Sequence, residues 1–138
     1  MAALDARAVA ALLHLAGQAV SAHGNIVVNL SAQQGIEVLV LCTSSFPLAD
    51  VGLAYLVATL YCGQLPRWGD IPWFAGAALT SVALTELRLS LMTVSESNYY
   101  WLHNGYGSTI YTLVAMAFAV LFPLLAAYRR HGKIELCT

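Results

Sequence analysis

Four stretches rich in apolar residues follow one another along the chain, separated by short polar pieces. They cover residues 8–29, 36–63, 71–94 and 108–128, and the last stretch carries no formal charge. A helix rises about 1.5 Å per residue, so each stretch is long enough to cross a hydrocarbon layer of about 30 Å. The pattern predicts an all-α integral membrane protein, a bundle of four transmembrane helices that forms one membrane domain over residues 1–138.

The first stretch is the most polar of the four, and its polar side chains recur at steps of four, three and four residues. These side chains are His14, Gln18, Ser21 and Asn25. On a helix this spacing places them on one face. Gly17 and Gly24 add small residues that permit close approach of a neighbouring helix. We therefore expect a helix whose polar face meets protein while its opposite face meets lipid.

The second stretch contains a proline and admits two interpretations. Pro47 follows Thr43, Ser44 and Ser45, whose hydroxyl groups can bind the carbonyl groups that a proline leaves free in a helix. In the first interpretation, residues 36–63 form one tilted or kinked helix. In the second, residues 36–46 form a separate interfacial segment, and Pro47 lies in the first turn of a shorter helix.

Basic residues outside the four stretches lie in alternate connecting pieces. Residues 1–7, 64–70 and 129–138 contain five of the six Lys and Arg residues, whereas residues 30–35 and 95–107 contain none. Loops on the cytoplasmic or matrix side of a membrane are enriched in basic residues. The distribution predicts an even number of spans, with both termini on the cytoplasmic or matrix side.

The composition supports a membrane location and excludes one class of partner. Hydrophobic residues make up 59% of the chain and charged residues 9%, against about 25% charged residues in an ordinary soluble domain. The mean hydropathy is +0.71. Because the net charge is only -1, the chain has no basic field that would hold a nucleic acid.

The sequence contains no motif of a known catalytic or metal site. GxSxG, HExxH and GxxxxGK[ST] are absent, and the three cysteines lack CxxC spacing. A haem held by two histidines would need both at one depth, and His23 with His103 is the one pair that meets this condition, near the outer surface. We predict no catalytic residue, no metal ligand and no haem, and we expect bound lipid.

Ionisable side chains at bilayer depth are costly and are therefore candidates for function. Asp50 lies near the middle of the second stretch, and Glu86 and Arg88 lie in the outer half of the third. These three can form a cluster that relays protons or holds a cation. Alternatively, a carboxylate neutralises Arg88 in a helix interface, or Arg88 extends to the outer surface. Glu86 and Arg88 are about 200° apart around a helix, so one of them needs a partner elsewhere.

Polar groups on more than one helix face, together with little mass outside the spans, favour contact with other proteins. The residues expected at such interfaces are His14, Gln18, Ser21, His23, Asn25, Asp50, Glu86 and Arg88. We predict a small accessory or assembly subunit of a larger membrane protein complex, in a bacterial or organellar inner membrane. Its partners would be the lipid bilayer and other membrane subunits or a second copy of the chain.

Two other functions remain open at this point. A small oligomeric channel or transporter would use the intramembrane carboxylates, with polar residues that converge on one cavity. A membrane enzyme that handles a lipid or a quinone would need acid, base or metal ligands at one depth. The ionisable residues named above do not clearly converge on one cavity or one depth, as either function would require.

Overall fold

The computed structural model, which describes residues 1–39, 42–61 and 67–131, has a mixed α/β fold. An N-terminal helix is followed by a three-stranded antiparallel sheet and then by four helices. The elements are α1 (Ala2–Leu15), β1 (Val20–His23), β2 (Ile26–Asn29), β3 (Gln34–Glu37), α2 (Ser45–Tyr61), a 3-10 turn (Trp68–Asp70), α3 (Ile71–Val94), α4 (Glu96–His103) and α5 (Tyr106–His131).

The predicted all-α bundle of four transmembrane helices is wrong. Three strands lie between residues 20 and 37, and the part of the chain that the structure describes contains two helices that are long and apolar enough to cross a membrane. These are Trp68–Val94 and Tyr106–Ala126. The placement of both termini on the cytoplasmic or matrix side belonged to that four-span arrangement, which the described residues do not show.

The predicted first span fails because a glycine ends α1 at its fourth turn. Gly17 has φ +78°, a left-handed conformation that glycine adopts without steric cost. Its N–H donates to the His14 carbonyl at 2.9 Å, and the Gln18 N–H donates to the Leu13 carbonyl at 2.9 Å. These two bonds form a Schellman motif, which ends a helix. Gly17 therefore stops the helix instead of allowing a second helix to approach.

The residues after Gly17 form strands because their apolar members are largely β-branched and can alternate between two faces. β2 lies between β1 and β3, with Val27 paired to Ala22 on one side and to Ile36 on the other. Gly24, with φ +63°, begins the two-residue loop between β1 and β2, where hairpins favour glycine. The spacing of three and four residues between polar side chains in this segment therefore predicted a helix where the structure has strands.

α1 covers one face of this sheet and forms a compact apolar core with it. The helix contributes residues at positions i, i+3, i+4 and i+7, the spacing of a buried face. The buried side chains are Ala6, Val9, Ala10 and Leu13 from α1, Val20, Val27 and Ile36 from the strands, Val38, and Leu89 from α3. We call α1 together with β1, β2 and β3 the N-terminal unit.

The helices α2, α3 and α5 pack against one another in a second body, and α4 joins α3 to α5. Val51, Ala77 and Ala119 form its apolar centre, and Tyr55 packs edge-on against Phe74 with ring centroids 5.9 Å apart. The single helix predicted over residues 36–63 does not form, because α2 begins at Ser45. Pro47 lies in the first turn of this shorter helix, where its missing N–H needs no partner.

Side chains of the sheet bind the end of α3 and so attach the N-terminal unit to it. The last carbonyl groups of a helix have no partner within the helix. Here Asn29 Nδ2 donates to the Thr93 carbonyl at 3.2 Å, and Gln34 Nε2 donates to the Met92 carbonyl at 3.2 Å. Asn29 is fully buried, and its Oδ1 accepts bonds from the N–H groups of Ser31 and Ala32.

Replacing Asn29 by aspartate should weaken this attachment while leaving the size of the side chain unchanged. The substitution removes a donor and places a carboxylate next to the negative end of the α3 dipole, so we expect the free energy of unfolding to fall by about 1–3 kcal/mol. Denaturant unfolding in one detergent would measure it. Asn98→Asp, in the first turn of α4, is the matched control, and an equal loss in both variants would contradict the role of Asn29.

Candidate functional site

A cavity of about 770 Å³ lies between α2, α3 and α5. α2 and α5 form its two walls, and residues of α3 form its floor. We call it the α2/α5 groove. Its apolar lining includes Val51, Leu53, Ala54, Val57, Ala58, Ala115, Met116, Ala119, Val120 and Leu124.

Small side chains and prolines explain why the two walls leave space between them. Alanines occupy four lining positions, at Ala54, Ala58, Ala115 and Ala119, so each wall lacks the bulk that would close the groove. Pro123 also lines it and lies inside α5. Because proline has no N–H, it removes a hydrogen bond from the preceding turn of the helix. Small residues on α2 and α5, together with a proline in α5, therefore leave the space that forms the groove.

A polar end of the groove is built around Arg88. Its Nη2 and Nε donate to the Leu102 carbonyl of α4 at 3.0 and 3.3 Å. The guanidinium group also lies over the ring of Tyr111 on α5, with its central carbon 4.7 Å from the ring centroid. A cation over an aromatic face is stabilised by the ring quadrupole, so Arg88 ties together three helices.

Hydroxyl groups complete this polar end. The Thr85 hydroxyl contacts the Tyr111 hydroxyl at 2.9 Å and lies 2.8 Å from the Ser81 carbonyl of its own helix. Thr112, on the opposite wall, donates to the Ser108 carbonyl at 2.9 Å. Asp50 of α2 also lines the groove, and its side chain is exposed. The groove therefore combines a long apolar surface with one cation, one carboxylate and several hydroxyl groups.

The structure separates the three residues that the sequence suggested as one charged cluster. Asp50 and Arg88 line the same groove, whereas Glu86 is buried on another side of α3, where its side chain meets Asp5 of α1. Arg88 is bound by a backbone carbonyl and an aromatic ring. Glu86 and Arg88 point in nearly opposite directions because two positions along a helix are about 200° apart around its axis.

The polar residues of the first predicted span do not share one face. His14 lies exposed in the last turn of α1, Gln18 accepts a bond from Asn29, Ser21 pairs with Val28 in the sheet and His23 ends β1. Asn25 lies in the hairpin loop, where its Nδ2 donates to Glu37 and to the Val38 carbonyl. These residues are distributed over the end of α1, the segment that follows it, the strand β1 and the hairpin loop, because the Schellman motif at Gly17 ends the helix.

Sequence reasoning missed the buried polar contact that Asp5 and Ser44 form next to Glu86. Asp5 is 4% exposed, and it accepts bonds from the Ser44 N–H at 3.0 Å and the Ser44 hydroxyl at 2.9 Å. One signal was present in the sequence. Asp5 precedes Val9 and Leu13 at four-residue steps, which places it on the apolar face of α1.

Neither a group of metal ligands nor similarity to a known protein indicates what the groove binds. No group of three or more His, Cys, Asp or Glu side chains that could hold a metal ion occurs within residues 1–39, 42–61 and 67–131. His103 stacks on the ring of Tyr99 in α4, and His23 belongs to the sheet. Comparisons with models of protein families, with curated proteins and with solved structures find no match to this chain.

Replacing Arg88 by methionine should loosen the junction of α3, α4 and α5. Methionine keeps an unbranched apolar stem but removes two bonds to the Leu102 carbonyl and the contact with Tyr111, so we expect a loss of about 1–3 kcal/mol in the free energy of unfolding. Denaturant titration in detergent would measure it, with Arg7→Met at an exposed position as the control. A loss no larger than that of the control would show that Arg88 does not stabilise the junction.

Proposed function

We propose that this chain is a small integral membrane subunit that packs, through the α2/α5 groove, against an apolar helix of a larger membrane protein complex. α3 and α5 are long and apolar enough to cross a membrane, and large apolar side chains point outward from α2, α3 and α5. Examples are Leu53 and Leu56 on α2, Leu79 and Leu87 on α3, and Leu113, Met116 and Leu124 on α5. Lipid or another membrane helix can cover such a surface.

The groove is the observation that carries the proposal. Membrane helices associate where small residues let their backbones approach closely, and the groove has two alanines on each wall. Its open and largely apolar lining suits a helix that lies between α2 and α5. A helix in that position would bury side chains of both walls that are otherwise exposed, such as Leu53 and Val120.

The polar end of the groove also favours a protein neighbour. Asp50 is exposed on a helix whose other surface residues are largely apolar. A carboxylate that faces hydrocarbon is costly, and such groups face other protein groups or water. A partner helix with a polar side chain at the level of Asp50 would satisfy this group, whereas acyl chains alone would not.

The two alternative functions have less support from the geometry. A channel or transporter would bring its carboxylates to one cavity, but Asp50 lines the groove while Glu86 faces Asp5. An enzyme would place an acid and a base around one reacting atom, but Thr85, Tyr111 and Arg88 are engaged with one another and with backbone carbonyls. A bacterial or organellar inner membrane remains part of the proposal.

A photo-crosslinking residue at Ala115 should capture a partner subunit that one at Ala117 does not. Ala115 lines the groove, whereas Ala117 lies two residues along α5, is exposed and is outside the lining. Irradiation of native membranes would give a discrete protein adduct from position 115, to be identified by mass spectrometry. Adducts with lipid alone at position 115, or the same protein adduct from both positions, would contradict the proposal.

Filling the groove with a large side chain should reduce assembly with the partner subunits. Ala115→Trp places a large ring where the partner helix would lie, so we expect the complement of partners that co-purifies in mild detergent to fall at least about tenfold, a loss of about 1.4 kcal/mol in binding free energy. Ala117→Trp adds the same ring outside the groove and should leave co-purification unchanged. Retention of all partners by Ala115→Trp would overturn docking through this groove.

A further inference from the structure

Two carboxyl groups are buried against each other where α1 packs on α3. Asp5 is 4% exposed and Glu86 is 6% exposed, and the two side chains face each other where α1 contacts α3. A hydrogen bond between two carboxyl groups requires a proton on one of them, because two carboxylates at this distance repel each other. This contact joins the first helix of the N-terminal unit to the central helix of the second body.

The surrounding bonds indicate which of the two groups holds the proton. Both oxygens of Asp5 accept bonds from Ser44, Oδ2 from its N–H at 3.0 Å and Oδ1 from its hydroxyl at 2.9 Å. Both oxygens of Asp5 are thus occupied by donors. Among the described residues Glu86 has no such donors, and its Oε2 is buried without a hydrogen-bond partner. This arrangement fits a pair in which Glu86 holds the shared proton and directs it to Asp5.

The charged groups of the neighbouring elements are directed elsewhere. Arg88 of α3 binds Leu102 and Tyr111, Glu37 of β3 accepts from Asn25, and Arg7 and His14 of α1 are exposed. From the segment before α2, the half-buried Cys42 packs on the apolar core of the N-terminal unit. The charged side chain that acts on Glu86 is Asp5. A second buried hydroxyl without a partner, that of Ser90, lies one turn further along α3.

We propose that the pair formed by Asp5 and Glu86 is a proton-binding site that controls attachment of the N-terminal unit to α3. With one proton bound, the pair carries a single negative charge that Ser44 stabilises. When this proton leaves to water, two negative charges face each other in a buried contact, and separation of α1 from α3 relieves the repulsion. The proton is the ligand, and the N-terminal unit is the part that responds.

The sign of the pH dependence follows from proton linkage. The attached state holds one proton shared by the two carboxyl groups, and loss of that proton to water favours detachment. Attachment is therefore complete at low pH and weakens as pH rises, with the equilibrium constant for detachment increasing by up to about tenfold per pH unit within the titration range. Outside that range the equilibrium constant no longer changes with pH.

Hydrogen exchange measured by mass spectrometry on the full chain in detergent micelles tests this proposal. Between about pH 5 and about pH 9, a range that brackets the titration of a buried carboxyl group, protection of the α1 amides should decrease as pH rises, after correction for intrinsic exchange. Amides of α5 should keep their protection and serve as an internal reference. A wild-type α1 whose corrected protection is the same at every pH would overturn the proposal.

Three variants distinguish the carboxyl pair from other causes of pH dependence. Glu86→Gln keeps a donor to Asp5 at every pH, so it should abolish the dependence. Asp5→Asn removes the repulsion and should weaken it, which provides a second measurement if Glu86→Gln fails to fold. Asp50→Asn removes an exposed carboxyl group in the groove and should leave it unchanged. An unchanged dependence in Glu86→Gln or Asp5→Asn, or its loss in Asp50→Asn, would overturn the assignment.

A cation is the other ligand that two carboxylates can hold, and the same measurement separates it from the proton. At about pH 8, where a proton is scarce and a cation would compete best, NaCl and CaCl₂ would be titrated at constant ionic strength with choline chloride. For a proton site, protection of α1 depends on pH and not on the cation. Saturable protection by Na⁺ or Ca²⁺ that Glu86→Gln abolishes would overturn the proton assignment.

Discussion

A carboxyl group on an apolar helix must find a polar partner when the helix is packed, and this constraint on Glu86 organises the contact between the two bodies of the fold. α1 supplies Asp5, and the segment before α2 supplies Ser44 as a donor to Asp5. Three elements that are distant in sequence meet at one buried polar contact. Apolar residues then close around it, with Leu89 of α3 inserted into the core of the N-terminal unit.

α3 is central because each part of its surface has a different neighbour. It contacts the other four helices and the strands β2 and β3. Towards its C-terminal end it presents Glu86, Leu89 and the last carbonyl groups to the N-terminal unit, and Arg88 to α4 and α5. Towards its N-terminal end it packs through Ala77 against α2 and α5. The sheet therefore lies at one end of a helix that is long enough to cross a membrane.

This division is consistent with the proposed role as a packing subunit. Polar side chains of the N-terminal unit have partners within the described chain, as Asn29 does with four bonding contacts, one of them to the Thr93 carbonyl of α3. The groove between α2 and α5, in contrast, leaves apolar walls and Asp50 without cover from the described chain. The two regions are joined through α3, so a change in the attachment of α1 would occur next to the floor of the groove, where Leu89 borders both.

The sequence alone determined those helices that are formed by one long run of apolar residues. The long, mostly apolar run of residues 71–94 and the charge-free run that follows from Ser108 are helices in the structure, because a helix satisfies the backbone groups of such a run within the run itself. The opposite directions of Glu86 and Arg88 also follow from helical geometry alone. The same local evidence places Asp5 on the apolar face of α1.

Tertiary structure decided the rest, because the deciding interactions join residues far apart in sequence. The spacing of polar residues between His14 and Asn25 matched a helix, but a Schellman motif at Gly17 and pairing of Val27 with Ala22 and Ile36 made a sheet. A period of three and four residues does not reveal strand pairing, which depends on the partner strands and on burial against α1. The partner of Glu86 is Asp5, 81 positions earlier in the sequence, and only the packing of α1 on α3 brings the two together.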